Sequence, residues 1–298
     1  MKAVKLFTLL LWITLPATAW SNVDGASQLR LHHQKMQSLF LEPDVKFPFN
    51  IHSSEIDNRL SADVYVEIKR PFEEVATVLS NPNSWCEFMQ LNLNIKSCTS
   101  QQNPGQTALT FYAGRKHYQA PETAYQLNYH YQVSTLTSNY MKVVLDADKG
   151  PFGTRDYRII VEATPIETAT FVRIHSSYQT SFSSRLGTQA YLATLGQSKL
   201  GFSIEGKTAT GKPVYITGIR GIIERNVMRY YLALKAYFDT AHLSYDERFE
   251  ARINTWFDLS ENYATQLHEL ERDEYLQAKR QEWTNQLRLQ QSLPRPKL

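Results

Sequence analysis

The order of elements along the chain predicts an α+β fold in which one long antiparallel sheet curves around a long helix. Three observations predict it. Residues 61–68 alternate apolar and polar side chains, which is the period of a strand with one buried face. Between about 91 and 219 there follows a run of strand-like segments joined by short, turn-rich connections, and such connections require antiparallel neighbours. The run ends in an amphipathic helix at about 219–240. With 298 residues, 42% hydrophobic and 20% charged, the chain is neither disordered, collagen-like nor a disulfide scaffold, and it can bury a core without metals or staples.

The first element is an address rather than structure. Lys2 and Lys5 precede an apolar run, Leu6 to Leu15, and Ala17-Thr18-Ala19 supplies small residues at cleavage spacing, the pattern of a secretory signal peptide over 1–19. The run is shorter than the roughly 20 residues that span a bilayer, so a transmembrane anchor is the weaker reading. The first cysteine is Cys86, so no lipid-anchoring cysteine follows the cleavage site. A soluble periplasmic or secreted protein is expected. Removing Lys2 and Lys5 lowers the formal net charge from +3 to +1, which disfavours nucleic acid as a partner.

Residues 20–60 read as a leader, with Leu29, Leu31, Met36, Leu39 and Phe40 on a short helix and Pro43 and Pro48 forcing an extended path. Residues 61–240 form the predicted main domain. After the strand containing Ala62, Val64, Val66 and Ile68, Pro71 opens a helix carrying Phe72, Val75, Ala76 and Leu79, which Asn81-Pro82-Asn83 ends. A second short helix, 84–90, carries Trp85, Phe88 and Met89. Strands are expected near 91–99, 106–113, 123–133, 139–147, 154–164, 169–180, 200–206 and 213–219. Residues 181–199, with Arg185, Gly187 and Gly196, fit no strand and read as an inserted loop or short helix. In the helix at 219–240, Ile219, Ile222, Ile223, Val227, Tyr230, Tyr231, Leu234 and Phe238 form a stripe. A C-terminal helical extension, 241–298, carries one long pattern from about 246 to 290. Its stripe of Phe249, Ile253, Trp256, Tyr263, Leu267 and Leu270 degrades into mixed charge, so the first half is expected to dock and the second to project or fray.

An oxidising compartment favours a bridge between Cys86 and Cys98. The separation of a helix from the far end of the following strand argues the other way, for two buried thiols.

Strand, proline and amphipathic helix in Val64-Tyr65-Val66-Glu67-Ile68-Lys69-Arg70-Pro71-Phe72-Glu73-Glu74-Val75, Trp85 on the next helix, and Gly150-Pro151-Phe152-Gly153-Thr154-Arg155-Asp156-Tyr157 together resemble the START-like, or SRPBCC, helix-grip superfamily, including its bacterial polyketide cyclase and lipid-transport group. The resemblance covers about 61–240. It implies a hydrophobic tunnel between sheet and C-terminal helix, closed by that helix and holding a lipid or other hydrophobic small molecule. It does not imply catalysis. Some sterol-binding members carry a cavity arginine six residues after the motif arginine; here that position is Val161.

Trp85, Met89, Tyr112, Tyr129, Tyr131, Val143, Arg155, Tyr157, Ile223 and Met228 are the candidate ligand-binding residues. Alternation aims Arg155 with Tyr157, Ile159 and Val161, so it reads either as a clamp for a ligand anion or as half of a structural pair with Asp156 or Glu224, the second being favoured. The tyrosines present hydroxyls to the tunnel or simply pack. His175 and His130 fall on the polar faces of their strands. No His-Glu-x-x-His, Cys-x-x-Cys, Gly-x-Ser-x-Gly or phosphate-loop motif is present, and no catalytic residue, metal or cofactor is expected. Arg220, Arg225 and Arg229 give a basic helix face, either for transient contact with anionic lipid or merely solvated. The extension, with Trp256, Phe257 and Trp283, offers a surface for self-association or a protein partner. Binding or transport is thus the expected activity. A cyclase-like, aromatase-like or hydrolase-like enzyme and a ligand-free interaction module are the alternatives.

Overall fold

A computed structural model describes residues 24–40, 48–181 and 200–294. The expected signal peptide and the expected insertion with Arg185, Gly187 and Gly196 lie outside the described residues.

Ten strands and seven helices are formed among the described residues. Helix α1 (Gly25–Phe40) is followed by strands β1 (Phe49–Ile56) and β2 (Arg59–Ile68), helices α2 (Phe72–Leu79) and α3 (Pro82–Met89), and a meander. The meander comprises β3 (Ile95–Asn103), β4 (Gln106–Ala113), β5 (Tyr125–Leu136), β6 (Met141–Lys149), β7 (Arg155–Ile166) and β8 (Ala169–Gln179). A hairpin of β9 (Ile204–Lys207) and β10 (Pro213–Tyr215) leads into the long helix α4 (Gly218–Asp239), then α5 (Tyr245–Glu261), α6 (Ala264–Leu267) and α7 (Arg272–Ser292).

The eight-stranded sheet has the order β1-β2-β8-β7-β6-β5-β4-β3, every neighbour antiparallel. Its inner face buries Leu60, Val64, Leu109, Phe111, Met141, Val143, Leu145, Ile159, Val161, Val172 and Ile174 against α2, α3 and α4. The fold is therefore α+β, a curved antiparallel sheet gripping a long helix. Helix α4 is buried on almost every side, because α5 packs against the flank that the sheet leaves open.

Four sequence expectations change. Strand β1 falls in the stretch read as a leader, where it pairs with β2 from Phe49↔Val66 to Ile56↔Arg59. Its inward positions include Ser53 and Glu55, so the alternation that reveals β2 is missing. Ser53 serves the buried carboxylate of Glu224 on α4, which accepts from Ser53 Oγ at 2.5 Å, Ser203 Oγ at 2.7 Å and the amides of Phe202 and Ser203 at 2.7 and 2.8 Å. The hairpin β9–β10 forms a separate two-stranded sheet rather than extending the main one.

The single C-terminal helix is broken into three, and its polar half docks instead of projecting. Helix α7 lies along β3, the last strand of the sheet, where Gln286 Oε1 accepts from the Cys98 amide at 2.7 Å and Gln290 Oε1 from the Ser100 amide at 2.8 Å. Glutamines four apart on a helix thus satisfy amides two apart on an edge strand that would otherwise be open to pairing. The buried side chains of α7 include Lys279 and Glu282. Lys96 and Lys279 hold opposite oxygens of Glu282 at 2.9 and 2.7 Å. Lys96 also donates to the carbonyls of Leu93 and His117, and Lys279 to those of Asn92 and Ile95, so both ammonium groups make three hydrogen bonds.

The cysteines are bridged, Cys86 to Cys98, with Cα atoms 4.9 Å apart. The expectation of two thiols assumed a strand running from 91. Residues 91–94 instead turn back, so Cys98 stands near the start of β3, beside α3.

Candidate functional site

The inner face of the sheet carries a cross-strand row at the end where β5, β7 and β2 begin. Leu109 pairs with Tyr129, Ala147 with Tyr157, and Leu60 with both Tyr178 and Glu55. Tyr129 stands opposite Ala147, one step beyond the His130↔Asp146 pair. Tyr157 stacks on Tyr178 with centroids 4.9 Å apart. Tyr230 of α4 lies over this row, near enough that its charge and that of Tyr157 are felt by both Tyr129 and Tyr178.

Local backbone geometry places Tyr157. Gly150 lies against its ring, and a Cβ there would come within 2.1 Å of it. Asp156 adopts φ +52°, and the β7–β8 register slips between Arg155 and Arg158. This bulge restores the alternation only from Tyr157 onward. Arg155, which simple parity aims inward, is consequently 68% exposed; its Nε donates to Gln179 Oε1 at 3.0 Å and lies 3.7 Å from Asp156. The clamp reading is corrected, while the pairing with Asp156 is present at the surface. Glu224 is engaged elsewhere, as described above.

The next rows are apolar. A small void there is lined by Leu79, Trp85, Phe88, Met89, Ile159, Val161, Ile174, Tyr230 and Leu234. Room for water-sized spheres within it is only about 10 Å³, so the stretch of the expected tunnel lined by these described residues is almost filled by side chains. Trp85 Nε1 and Tyr131 Oη both donate to the Leu79 carbonyl, each at 2.8 Å, fixing the void's floor to the end of α2.

Of the sequence candidates, Trp85 and Met89 line the void, and Tyr129, Tyr131, Tyr157 and Val143 lie on the same inner face. Ile223 and Met228 are buried on α4 but do not line the void. Tyr112 is misplaced: it pairs with Ser97 and Gln126 on the outer face, one residue out of phase with inward Phe111. Arg225 and Arg229 are buried against Glu269 and present no basic face. Their neighbour Arg220 donates to the Ser53 carbonyl at 2.9 Å.

Tyr178 and Tyr230 were not among the candidates. The signal for Tyr178 was its place on the apolar face with Val172 and Ile174. For Tyr230 it was its place on the apolar stripe of α4 with Ile223, Val227 and Leu234.

Burial governs the chemistry of the row. It pushes the Tyr157 hydroxyl up to about 12 and, with the nearby Tyr157, the Tyr230 hydroxyl to about 12; Tyr129 and Tyr178 are raised too. All four are neutral at physiological pH and able both to donate and to accept. Tyr157 uses its hydroxyl with Thr154 Oγ1 at 2.8 Å. The hydroxyls of Tyr129, Tyr178 and Tyr230 make no hydrogen bond among the described residues.

The outer face is different. Arg173 bridges Asp63 at 2.7 Å and Glu162 at 2.5 Å, and His175 reaches Asp63 at 3.0 Å, confirming the outward parity of both. Helix α1 covers part of this face through Leu29 and Met36 on Phe171. An open groove of about 890 Å³ beside α1 mixes Arg30, His33 and Lys69 with Glu67 and Glu167 and shares no residue with the inner void.

No family model and no curated protein matches the chain. Among solved structures, protein Ms6760 from Mycobacterium smegmatis is 10% identical with TM-score 0.34, over 65% of this chain and 100% of that one. CalU16 from Micromonospora echinospora is 10% identical with TM-score 0.31, over 76% and 100%. Human STARD10 is 9% identical with TM-score 0.31, over 54% and 74%. At such values these likenesses carry no argument about function, and the architecture stands on the chain's own strand order.

Proposed function

We propose that the chain binds a hydrophobic small molecule between the curved sheet and α4, as a START-like carrier acting in the periplasm or outside the cell after loss of residues 1–19. The observation that carries this reading is the set of tyrosine hydroxyls on the inner wall, at Tyr129, Tyr178 and Tyr230, which make no hydrogen bond among the described residues, with Tyr230 also lining an apolar void. These hydroxyls are free to meet a polar group on an otherwise apolar ligand, which phenylalanine at the same positions could not do. Trp85, Met89, Ile159, Val161 and Leu234 supply the apolar surface, and uptake requires α4 and the α2–α3 pair to part from the sheet.

The small volume of the void favours a second reading, an interaction module whose interior is plugged. Native mass spectrometry of the protein purified from its own cells, followed by organic extraction, separates the two. A stoichiometric hydrophobic molecule supports the carrier. An empty protein that also takes up no hydrophobic fluorophore supports the module.

A further inference from the structure

We infer that the second half of α7, residues 279–292, is a redox-sensitive strap: the Cys86–Cys98 bridge keeps it seated along β3, and a dithiol reductant releases it. This goes beyond the binding reading and holds whether or not the interior takes a ligand.

The inference comes from where α7 is fastened. The bridge closes a loop from Cys86 to Cys98, whose middle, residues 90–94, consists of turns. Each buried hydrogen bond that joins α7 to another element among the described residues ends on that loop. Tyr275 donates to the Leu91 carbonyl, Lys279 Nζ to those of Asn92 and Ile95, and the Lys279 carbonyl accepts from Gln90 Nε2. Glu282 accepts from Lys96. Gln286 spans the bridged pair itself: its Oε1 accepts from the Cys98 amide at 2.7 Å and its Nε2 donates to the Cys86 carbonyl at 3.2 Å. Gln290, which pairs with both the amide and the carbonyl of Ser100, reaches two residues past the bridge.

The first half of α7 has an apolar hold of its own, with Tyr275 stacked on Trp256 at 4.9 Å between centroids. Beyond it the buried positions are Lys279, Glu282, Asn285 and Gln286, with Trp283 half-buried against Phe249. A face of that kind gains little from leaving water, so its seat has to be preformed. The bridge preforms it. Closing the loop removes most of the conformations that residues 86–98 would explore, and holds the Cys86 carbonyl and the Cys98 amide at the spacing that one glutamine amide spans. With the bridge cut, those two groups are free to part, and Lys96, Lys279 and Glu282 regain their hydration when the helix lifts, which favours release. The coupling is reciprocal. Both cysteines are buried with Gln286 across their backbones, so a thiolate reaches a sulfur once the strap has lifted. The reductant leaves as its own disulfide, and Cys86 and Cys98 take up two electrons and two protons as thiols.

The test treats the purified, bridged chain with dithiothreitol in the absence of denaturant and follows three signals: thiol release, tryptic cleavage after Lys279, Arg280 or Arg288, and hydrogen exchange across β3, β6 and β7. Reduction is expected to speed cleavage in the second half of α7 by at least about tenfold and to unprotect the amides of Cys98 and Ser100, while β6 and β7 keep their protection. Unchanged cleavage after full reduction overturns the inference. Loss of protection in β6 and β7 at the same time also overturns it, because the bridge would then staple the whole fold rather than the strap. In the other direction, Gln286→Leu with the bridge intact is expected to release thiols at least about tenfold faster than the parent at the same dithiothreitol concentration. Equal rates in the two proteins, or a bridge that resists the reductant in both, overturn the guarding role. Reduction of the parent needs no substitution, so it decides the case even where Gln286→Leu fails to fold.

Discussion

Tyr131 and Tyr178 both project from the sheet toward the helices, yet only the first has its hydroxyl matched, to the Leu79 carbonyl at 2.8 Å. Removing the Tyr131 hydroxyl costs the buried Leu79 carbonyl one of its two donors and leaves only Trp85 Nε1, whereas removing the Tyr178 hydroxyl breaks no hydrogen bond among the described residues. Tyr131→Phe is therefore expected to lower unfolding free energy by about 1 kcal/mol, and Tyr178→Phe to leave it unchanged or slightly raised. Urea denaturation of the two variants beside the parent checks the contrast, and equal losses would mean that Tyr178 has a partner after all. Glu282 is a harsher case, because it is fully buried between two lysines that are themselves 1% exposed. Glu282→Gln leaves both ammonium groups in the interior without their counter-charge and is expected to cost about 3–5 kcal/mol. A midpoint close to that of the parent would show that the four carbonyls alone hold the lysines. At this scale the sequence was legible wherever alternation ran unbroken, as for His175 outward and Tyr129 inward. It misled at Arg155, where one left-handed residue, Asp156, resets the parity, and at Tyr112, which is buried but on the other face.

Among the elements, α7 carries the largest revision. After Tyr275, Leu276 and Ala278 in its first two turns, the buried positions of this helix are Lys279, Glu282, Asn285 and Gln286, so its apolar stripe stops there and periodicity reads the rest as solvent-exposed. Its contacts are polar because its partner is the edge of a strand, a line of backbone amides and carbonyls rather than a hydrophobic face. Ending the chain after Glu271 would strip the amides of Cys98 and Ser100 of their glutamine acceptors, expose Lys96, and remove Tyr275, whose hydroxyl donates to the Leu91 carbonyl at 2.8 Å. Such a truncation is expected to lower the melting temperature by more than about 10 °C and to promote aggregation through the bared β3 edge. Calorimetry with light scattering measures both, and an unchanged transition would return α7 to the periphery. Strand β1 was missed for a related reason: its inward Ser53 and Glu55 break the alternation that made β2 plain. By contrast α2, β4 and α4 fall where their sequence patterns place them, because each buries an apolar face against the core.

The molecule as a whole holds many tyrosines away from water, and its response to alkali follows from that. Two kinds of group pull in opposite directions. Burial presses Lys279 down to about 8, against Glu282, while an unfolded lysine titrates near 10.5. Between those values the unfolded chain binds the extra proton, so this group's contribution makes stability rise with pH. The tyrosines do the reverse. Tyr157 and Tyr230 are raised to about 12 in the folded chain from an ordinary value of 10, and Tyr129, Tyr178 and Tyr231 are raised as well. From pH 10 upward the unfolded state loses protons that the folded state keeps, so stability falls. A two-unit difference amounts to roughly 2–3 kcal/mol per tyrosine, and the several tyrosines together outweigh the two buried lysines, Lys279 and Lys96, which burial also lowers. Stability is thus expected to be greatest near pH 9–10 and to collapse over the following two units. In that collapse the tyrosinate absorbance at 295 nm should rise in a single step coincident with loss of circular dichroism, because the buried hydroxyls ionise only once the sheet and α4 separate. A gradual rise in absorbance while the circular dichroism stayed native would mean that the inner wall is already open to solvent. The same result would overturn the closed interior between sheet and helix.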